Sequence, residues 1–145
     1  MIEKIYILTD MGSNPKYEIL NSKQYRMTEN QNSKRYDLEE RTLNYARRTI
    51  EFVNELPKTL TNNEVIKQLV RSAGSVGANY IEANESLSKK DFIMRVKICR
   101  KEAKETRYWL KLVDCNKETE KTNHYLIQEA TELMKIFGAI LEKTK

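Results

Sequence analysis

Glycine and proline are scarce, four and two in a chain of 145 residues. A β-rich fold turns often and uses both residues at its turns, so this scarcity favours long helices joined by few loops. Long apolar runs are missing as well. No stretch approaches the roughly 20 residues needed to cross a bilayer. Residues 1–8 hold an acid, a base and too short an apolar patch for a signal peptide. The expectation is a cytoplasmic protein with no membrane partner. Cysteine is limited to Cys99 and Cys115, and histidine to His124. With no Cys-x-x-Cys pair and no clustered histidine, neither a disulfide framework nor a metal site is supported, and both thiols are expected to be free.

The same inventory argues against catalysis. Any Ser-His or Cys-His pair would have to be built on His124, whose neighbours Thr122, Asn123 and Tyr125 read as an exposed, polar helix start. A di-iron bundle site takes two Glu-x-x-His motifs and two further glutamates. Glu102 and Glu105 have the spacing but no histidine. Gly74-Ser75-Val76-Gly77 lies inside a helical pattern and lacks the strand-turn-helix setting of a phosphate loop. The sequence therefore predicts a non-enzymatic protein with no cofactor and no metal.

What is present is a helical rhythm. Apolar residues make up 39% of the chain, enough for one modest core. Leu38, Tyr45, Ala46, Ile50, Phe52, Val53 and Leu56 recur at three-four spacing, predicting a first helix over residues 37–56 with Asp37 as N-cap and Pro57 as its stop. Thr61 and Glu64 form the pattern of a capping box for a second helix over 62–83. Its stripe is Val65, Ile66, Leu69, Val70, Ala73, Val76, Gly77, Tyr80 and Ile81. Gly74 and Gly77 each cost about 1 kcal/mol against alanine, which implies a neighbouring backbone close by. Ser88 and Asp91 open a third helix over 89–113, with Phe92, Val96, Cys99, Ala103, Thr106, Trp109, Leu110 and Val113 on one face. Asn116, Thr119 and Thr122 all suit the start of a fourth, over 120–142, whose stripe is Leu126, Ala130, Leu133, Ile136, Phe137, Ile140 and Leu141. Short loops make consecutive helices antiparallel neighbours. The expected fold is all-α: an antiparallel up-down-up-down four-helix bundle over residues 37–145. Residues 1–36, rich in Asn, Ser, Lys and Glu, are expected to form an irregular, poorly ordered N-terminal arm.

Charge is concentrated. Residues 85–111 hold nine Lys/Arg against four Asp/Glu, an excess that equals the +5 of the whole chain. Arg100, Lys104, Arg107 and Lys111 follow helical spacing and form one ridge; Lys90, Lys97, Lys101 and Lys104 form a second. With Lys89 they are candidate nucleic-acid contacts, and a solvated face laced with ion pairs is the alternative. Beside the apolar stripe of the second helix run Arg71, Ser75, Asn79 and Glu82. Two readings stand for them: a polar seam between helices, with Arg71 or Asn79 bonded to Glu102 or Glu105, or a ligand or nucleic-acid site. Trp109 is expected as a packed core anchor, and Tyr108, Tyr80 and Phe52 as edge residues suited to a subunit interface.

The stretch Gln68-Leu69-Val70-Arg71-Ser72-Ala73-Gly74-Ser75-Val76-Gly77-Ala78-Asn79-Tyr80-Ile81-Glu82-Ala83 resembles a known family. So do Ser88-Lys89-Lys90-Asp91-Phe92, Lys101-Glu102-Ala103-Lys104-Glu105-Thr106-Arg107-Tyr108-Trp109-Leu110, Leu56-Pro57 and Glu129-Ala130 with Glu132-Leu133. All occur in order, from about Tyr36 to the C-terminus, in the bacterial four helix bundle protein family. Its founding members are encoded by intervening sequences in large-subunit ribosomal RNA genes. The resemblance implies a left-handed up-down bundle assembled as a ring-shaped homopentamer. It also implies distant kinship to the accessory protein of diversity-generating retroelements, a basic pentamer that binds nucleic acid and a reverse transcriptase. The partners so implied are further copies of the chain, RNA or DNA, and a reverse transcriptase or other protein; a protein-interaction scaffold without nucleic-acid binding is the alternative. Family members usually begin just before Tyr36-Asp37-Leu38, and Met27 lies where such a start would fall. Residues 1–26 are thus either a lineage-specific arm or upstream of the native start.

Overall fold

The computed structural model describes residues 22–145, with side chains from Leu38 onward. Four helices follow one another: α1 (Ser22–Asn54), α2 (Leu60–Asn84), α3 (Lys89–Leu112) and α4 (Lys117–Lys143). They pack as an antiparallel bundle in which α2 meets α3 most extensively, α3 meets α4 next, and α1 rests mainly on α2 and only lightly on α4. There is no strand among the described residues.

α1 departs from expectation at its start. It is helical from Ser22, so Asp37 lies inside it and is not an N-cap. Residues 22–36 are polar but contain no glycine or proline, and nothing in them interrupts a helical backbone. Of the expected arm, residues 1–21 lie outside the described residues. α1 ends at Asn54, ahead of Pro57.

The cap of α2 also shifts. Thr59, not Thr61, is the N-cap, and its side chain accepts from the Asn62 backbone N–H. Asn62 is drawn inside instead. Its amide nitrogen donates to Pro57 O at 2.9 Å and Asp114 O at 3.0 Å, and its Oδ1 accepts from the Asp114 N–H at 2.9 Å. One buried side chain thus pins the α1–α2 turn to the α3–α4 turn, satisfying backbone groups that the loops leave open. Ser88 caps α3 as expected. At α4 the choice among three caps falls to Asn116, which exchanges side-chain and backbone bonds with Thr119.

The core is Tyr45, Phe52 and Leu56 of α1 and its following turn, Leu69, Val76 and Tyr80 of α2, Phe92, Val96, Cys99 and Leu110 of α3, and Leu126, Leu133 and Phe137 of α4. Tyr80 and Phe137 meet across the bundle, ring centroids 5.8 Å apart. Phe52 and Tyr80 are therefore core residues, not interface candidates. Ile50 and Ile81, expected inside, are 48% and 53% exposed. Each follows the buried face by one residue, about 100° round the helix, while the short hydroxyls Thr42 and Thr49 take the inward positions of α1. They fit because each donates to its own helix: Thr49 Oγ1 to Tyr45 O, Thr42 Oγ1 to Glu39 O, both at 2.9 Å. The two glycines of α2 divide. A Cβ at Gly77 would sit 3.0 Å from Thr42 Oγ1, so α1 and α2 approach closely there, whereas one at Gly74 would meet nothing within 4 Å.

Candidate nucleic-acid interface

α3 carries charge on two flanks with different fates. The flank toward α2 is mated. The Arg71 guanidinium of α2 reaches Glu102 Oε2 at 3.4 Å and pairs with Glu105. Glu105 also accepts from Trp109 Nε1 at 3.2 Å. Burial opposes the charge on Glu105, but the Trp109 and Arg71 hydrogen bonds outweigh it and hold its carboxyl below the usual range; the bond to Glu105 correspondingly raises the Arg71 guanidinium. One turn inward, Thr106 Oγ1 lies 2.9 Å from Ser72 Oγ, fully buried, and donates to Glu102 O at 2.7 Å. Further along, Arg95 pairs with Glu82 at 2.8 Å and donates to Asn79 Oδ1 at 3.2 Å.

Of the residues expected in the seam, Arg71, Glu102, Glu105, Asn79 and Glu82 are brought to the α2–α3 contact. Asn79 meets Arg95 and not a glutamate of α3. Ser75 stays on its own helix, its hydroxyl donating to Arg71 O at 2.8 Å. Ser72, one of the short polar groups weighed for the seam, meets Thr106 there. The parts played by Thr106 and Arg95 were not foreseen; the signals were a small hydroxyl on the facing stripe of α3 and a base one helix face away from the ridges. Trp109 is a correction: it is half-buried at the seam's edge, and Leu110 beside it fills the core. The cause is the indole N–H, which reaches Glu105 only from the edge.

The opposite flank is open. Lys89, Lys90, Lys97, Lys101, Lys104 and Lys111 are exposed, and Lys90, Lys97, Lys104 and Lys111 form no ion pair among the described residues. Arg100 and Arg107 lean toward α4. The Arg100 guanidinium carbon lies 3.7 Å from where a Gly138 Cβ would stand, and Arg107 donates to Thr131 Oγ1 at 3.3 Å. The two ridges thus form one band, with lysines at its centre and arginines along the α4 edge. Tyr108 stands in this band, 58% exposed.

Elsewhere, a polar cleft of about 420 Å³ separates α1 from α4. Arg41 and Glu129 close it with a two-pronged pair at 2.6 and 2.9 Å, Arg48 covers the Tyr125 ring at 4.9 Å, and Tyr45 donates to Leu126 O at 3.3 Å. Burial pushes the Tyr45 phenol up, and pushes the Cys99 thiol up to about 12. Both cysteines are free. No helix among the described residues is long and apolar enough to cross a membrane, and no cluster of three metal-ligating side chains occurs among them.

The class defined by these features is an up-down helical bundle with one basic, exposed helix face. The chain belongs to the 23S rRNA-intervening sequence protein family, whose sequence model matches residues 34–139. A crystal structure of a protein of unknown function from the S23 ribosomal protein family of Bacteroides thetaiotaomicron is similar, with a TM-score of 0.61 and 33% identity over 71% of this chain and 96% of that one. No protein of curated function matches.

Proposed function

We propose that this is a non-catalytic, cytoplasmic protein that acts as an oligomer and associates with nucleic acid, RNA foremost, through the outward face of α3. The observation that carries this is the contrast across one helix. Every acid on α3 past its first turn is turned toward α2 and paired there, so Lys90, Lys97, Lys104 and Lys111 have no ion-pair partner among the described residues. Such a band attracts phosphate by releasing counterions. The family's name links it to 23S rRNA, which favours RNA as the polyanion. A fivefold ring, as the family resemblance implies, would repeat the band and multiply weak phosphate contacts.

Titration of the purified protein against single-stranded RNA and duplex DNA at several salt concentrations tests the reading. Contacts to several phosphates give a steep log–log salt dependence. Absence of binding at 50 mM salt would remove the nucleic-acid role. A monomeric mass in solution would remove the oligomer.

A second reading, a protein-interaction scaffold, is favoured by a separate surface. Leu43 and Ile50, seven residues apart on one face of α1, and Ile81, seven residues from Gly74 on one face of α2, are about half exposed, and a Cβ at Gly74 would meet open space. Exposed aliphatic groups on these faces suit a covering partner, a second copy first. Replacing Ile50 and Ile81 with Asp should lower the solution mass and leave the α3 face untouched.

A further inference from the structure

Charge alone does not choose between single-stranded and duplex nucleic acid. We infer that Tyr108 is a base-stacking platform that makes the basic face of α3 prefer single strands; this rests on the nucleic-acid reading of that face.

Tyr108 follows Lys101 by two turns and Lys104 by one, and precedes Lys111 by one, so all four share a face of α3. Lys104 and Lys111 bracket the ring about 10 Å apart along the axis, at 1.5 Å per residue. The ring is exposed but held. Its centroid lies 4.9 Å from that of Trp109 at an interplanar angle of 75°. Trp109 is fixed in turn by its N–H to Glu105, and Glu105 by Arg71 of α2. The seam therefore braces Tyr108 through Trp109, while the ring's exposure leaves area free between cations. A pre-positioned ring loses little entropy on stacking.

Stacking on an exposed aromatic within a basic groove is how single strands are held without base readout. A duplex keeps its bases stacked on each other and offers this ring only backbone. Lysines serve both forms; the ring serves only one. Trp109, the chain's sole tryptophan, touches the platform and reports on it.

The test uses the full-length protein with a fluorescently labelled 20-nucleotide single-stranded RNA of mixed sequence and the same RNA as a duplex. Tyr108→Ala should weaken single-strand binding about tenfold, within the range that one stacked base supplies. It should leave duplex affinity and the salt slope unchanged, and Tyr108→Phe should retain wild-type binding. Lys104→Ala should weaken both forms and lower the salt slope by about one. Single-stranded RNA should change Trp109 emission in the wild type and not in Tyr108→Ala. Equal weakening of both forms, no weakening of either, or a fall in solution mass with binding intact would each overturn the platform. Failure of the wild type to bind either RNA at 50 mM salt would overturn the nucleic-acid reading itself, and the platform with it.

Discussion

The two flanks of α3 differ in composition and in character: acids and an arginine face α2, and lysines face away from it. Toward α2, each charged group has a partner: Arg71 with Glu102 and Glu105, Arg95 with Glu82. Away from α2, Lys90, Lys97, Lys104 and Lys111 have no ion-pair partner among the described residues. A pair at the margin of a core sets helix register, because a misplaced partner leaves a charge poorly solvated. A lysine in open water contributes little to stability and remains free to meet a polyanion. A net charge says little until its location is known. Residues 85–111 carry an excess equal to the whole chain's +5; their lysines gather on the open flank, while the seam pairs its bases with acids.

The largest expected effect is on the open flank. Lys97→Glu with Lys104→Glu should lower RNA affinity about 100-fold at low salt, since two attractions become two repulsions. Urea unfolding should move by less than about 0.5 kcal/mol. A large stability loss would break the distinction between the flanks.

The seam should behave in reverse. Arg71→Ala leaves the buried Glu102 and the Glu105–Trp109 pair without their cation. It should cost about 1–2 kcal/mol by urea unfolding, discounted from a fully buried pair because the Arg71 side chain is 48% exposed. Its affinity for duplex RNA should stay near wild type. A folded, equally stable variant that has lost binding would move Arg71 from the seam to the interface.

The glycines of α2 sharpen the picture of close approach. Gly74→Ala should stabilise by about 0.5–1 kcal/mol, because helix propensity improves and the new methyl meets open space. Gly77→Ala should lose that gain and destabilise by about 1 kcal/mol, because Thr42 Oγ1 stands 3.0 Å from the new Cβ. Thermal melts of the two variants should therefore shift in opposite directions. Two upward shifts would show that Thr42 yields.

The smallest effect is the pH response of the seam. The Glu105 carboxyl titrates below its ordinary value, so its contribution is complete above the unfolded pKa and is lost as pH falls through the lower, folded value. The stability gap between wild type and Glu105→Gln should stay constant from neutral pH to about 5 and close below about 4. A gap unchanged at acid pH would take Glu105 out of the seam's energetics.

Some of this was legible in the residues themselves. The helix stripes placed Leu69, Val76, Phe92, Val96, Leu126 and Leu133 in the core, and all are buried. Ser88 was readable as a cap because capping is local chemistry. The Thr59 cap was not. It depends on Asn62 turning inward to hold Asp114, 52 residues away, and spacing along a helix carries no information about a distant loop. Ile50 and Ile81 were misplaced for a related reason. Period alone gives the stripe's width to within one residue, and the neighbouring helix decides which edge is covered. The pairing of Asn79 with Arg95, and of Ser72 with Thr106, needed the register of α2 on α3.

Four amphipathic helices, their order, the connections that make them antiparallel and the location of the excess charge are readable from the chain alone. Those follow from periodicity, caps and composition, all encoded within a few residues. Packing of the helices on one another settles which charges on α3 are quenched, that Trp109 belongs to the seam, and that Tyr108 stands against Trp109 among lysines. Each depends on how far one helix slides and rotates against another. That choice is made by the packed core as a whole and by no single segment.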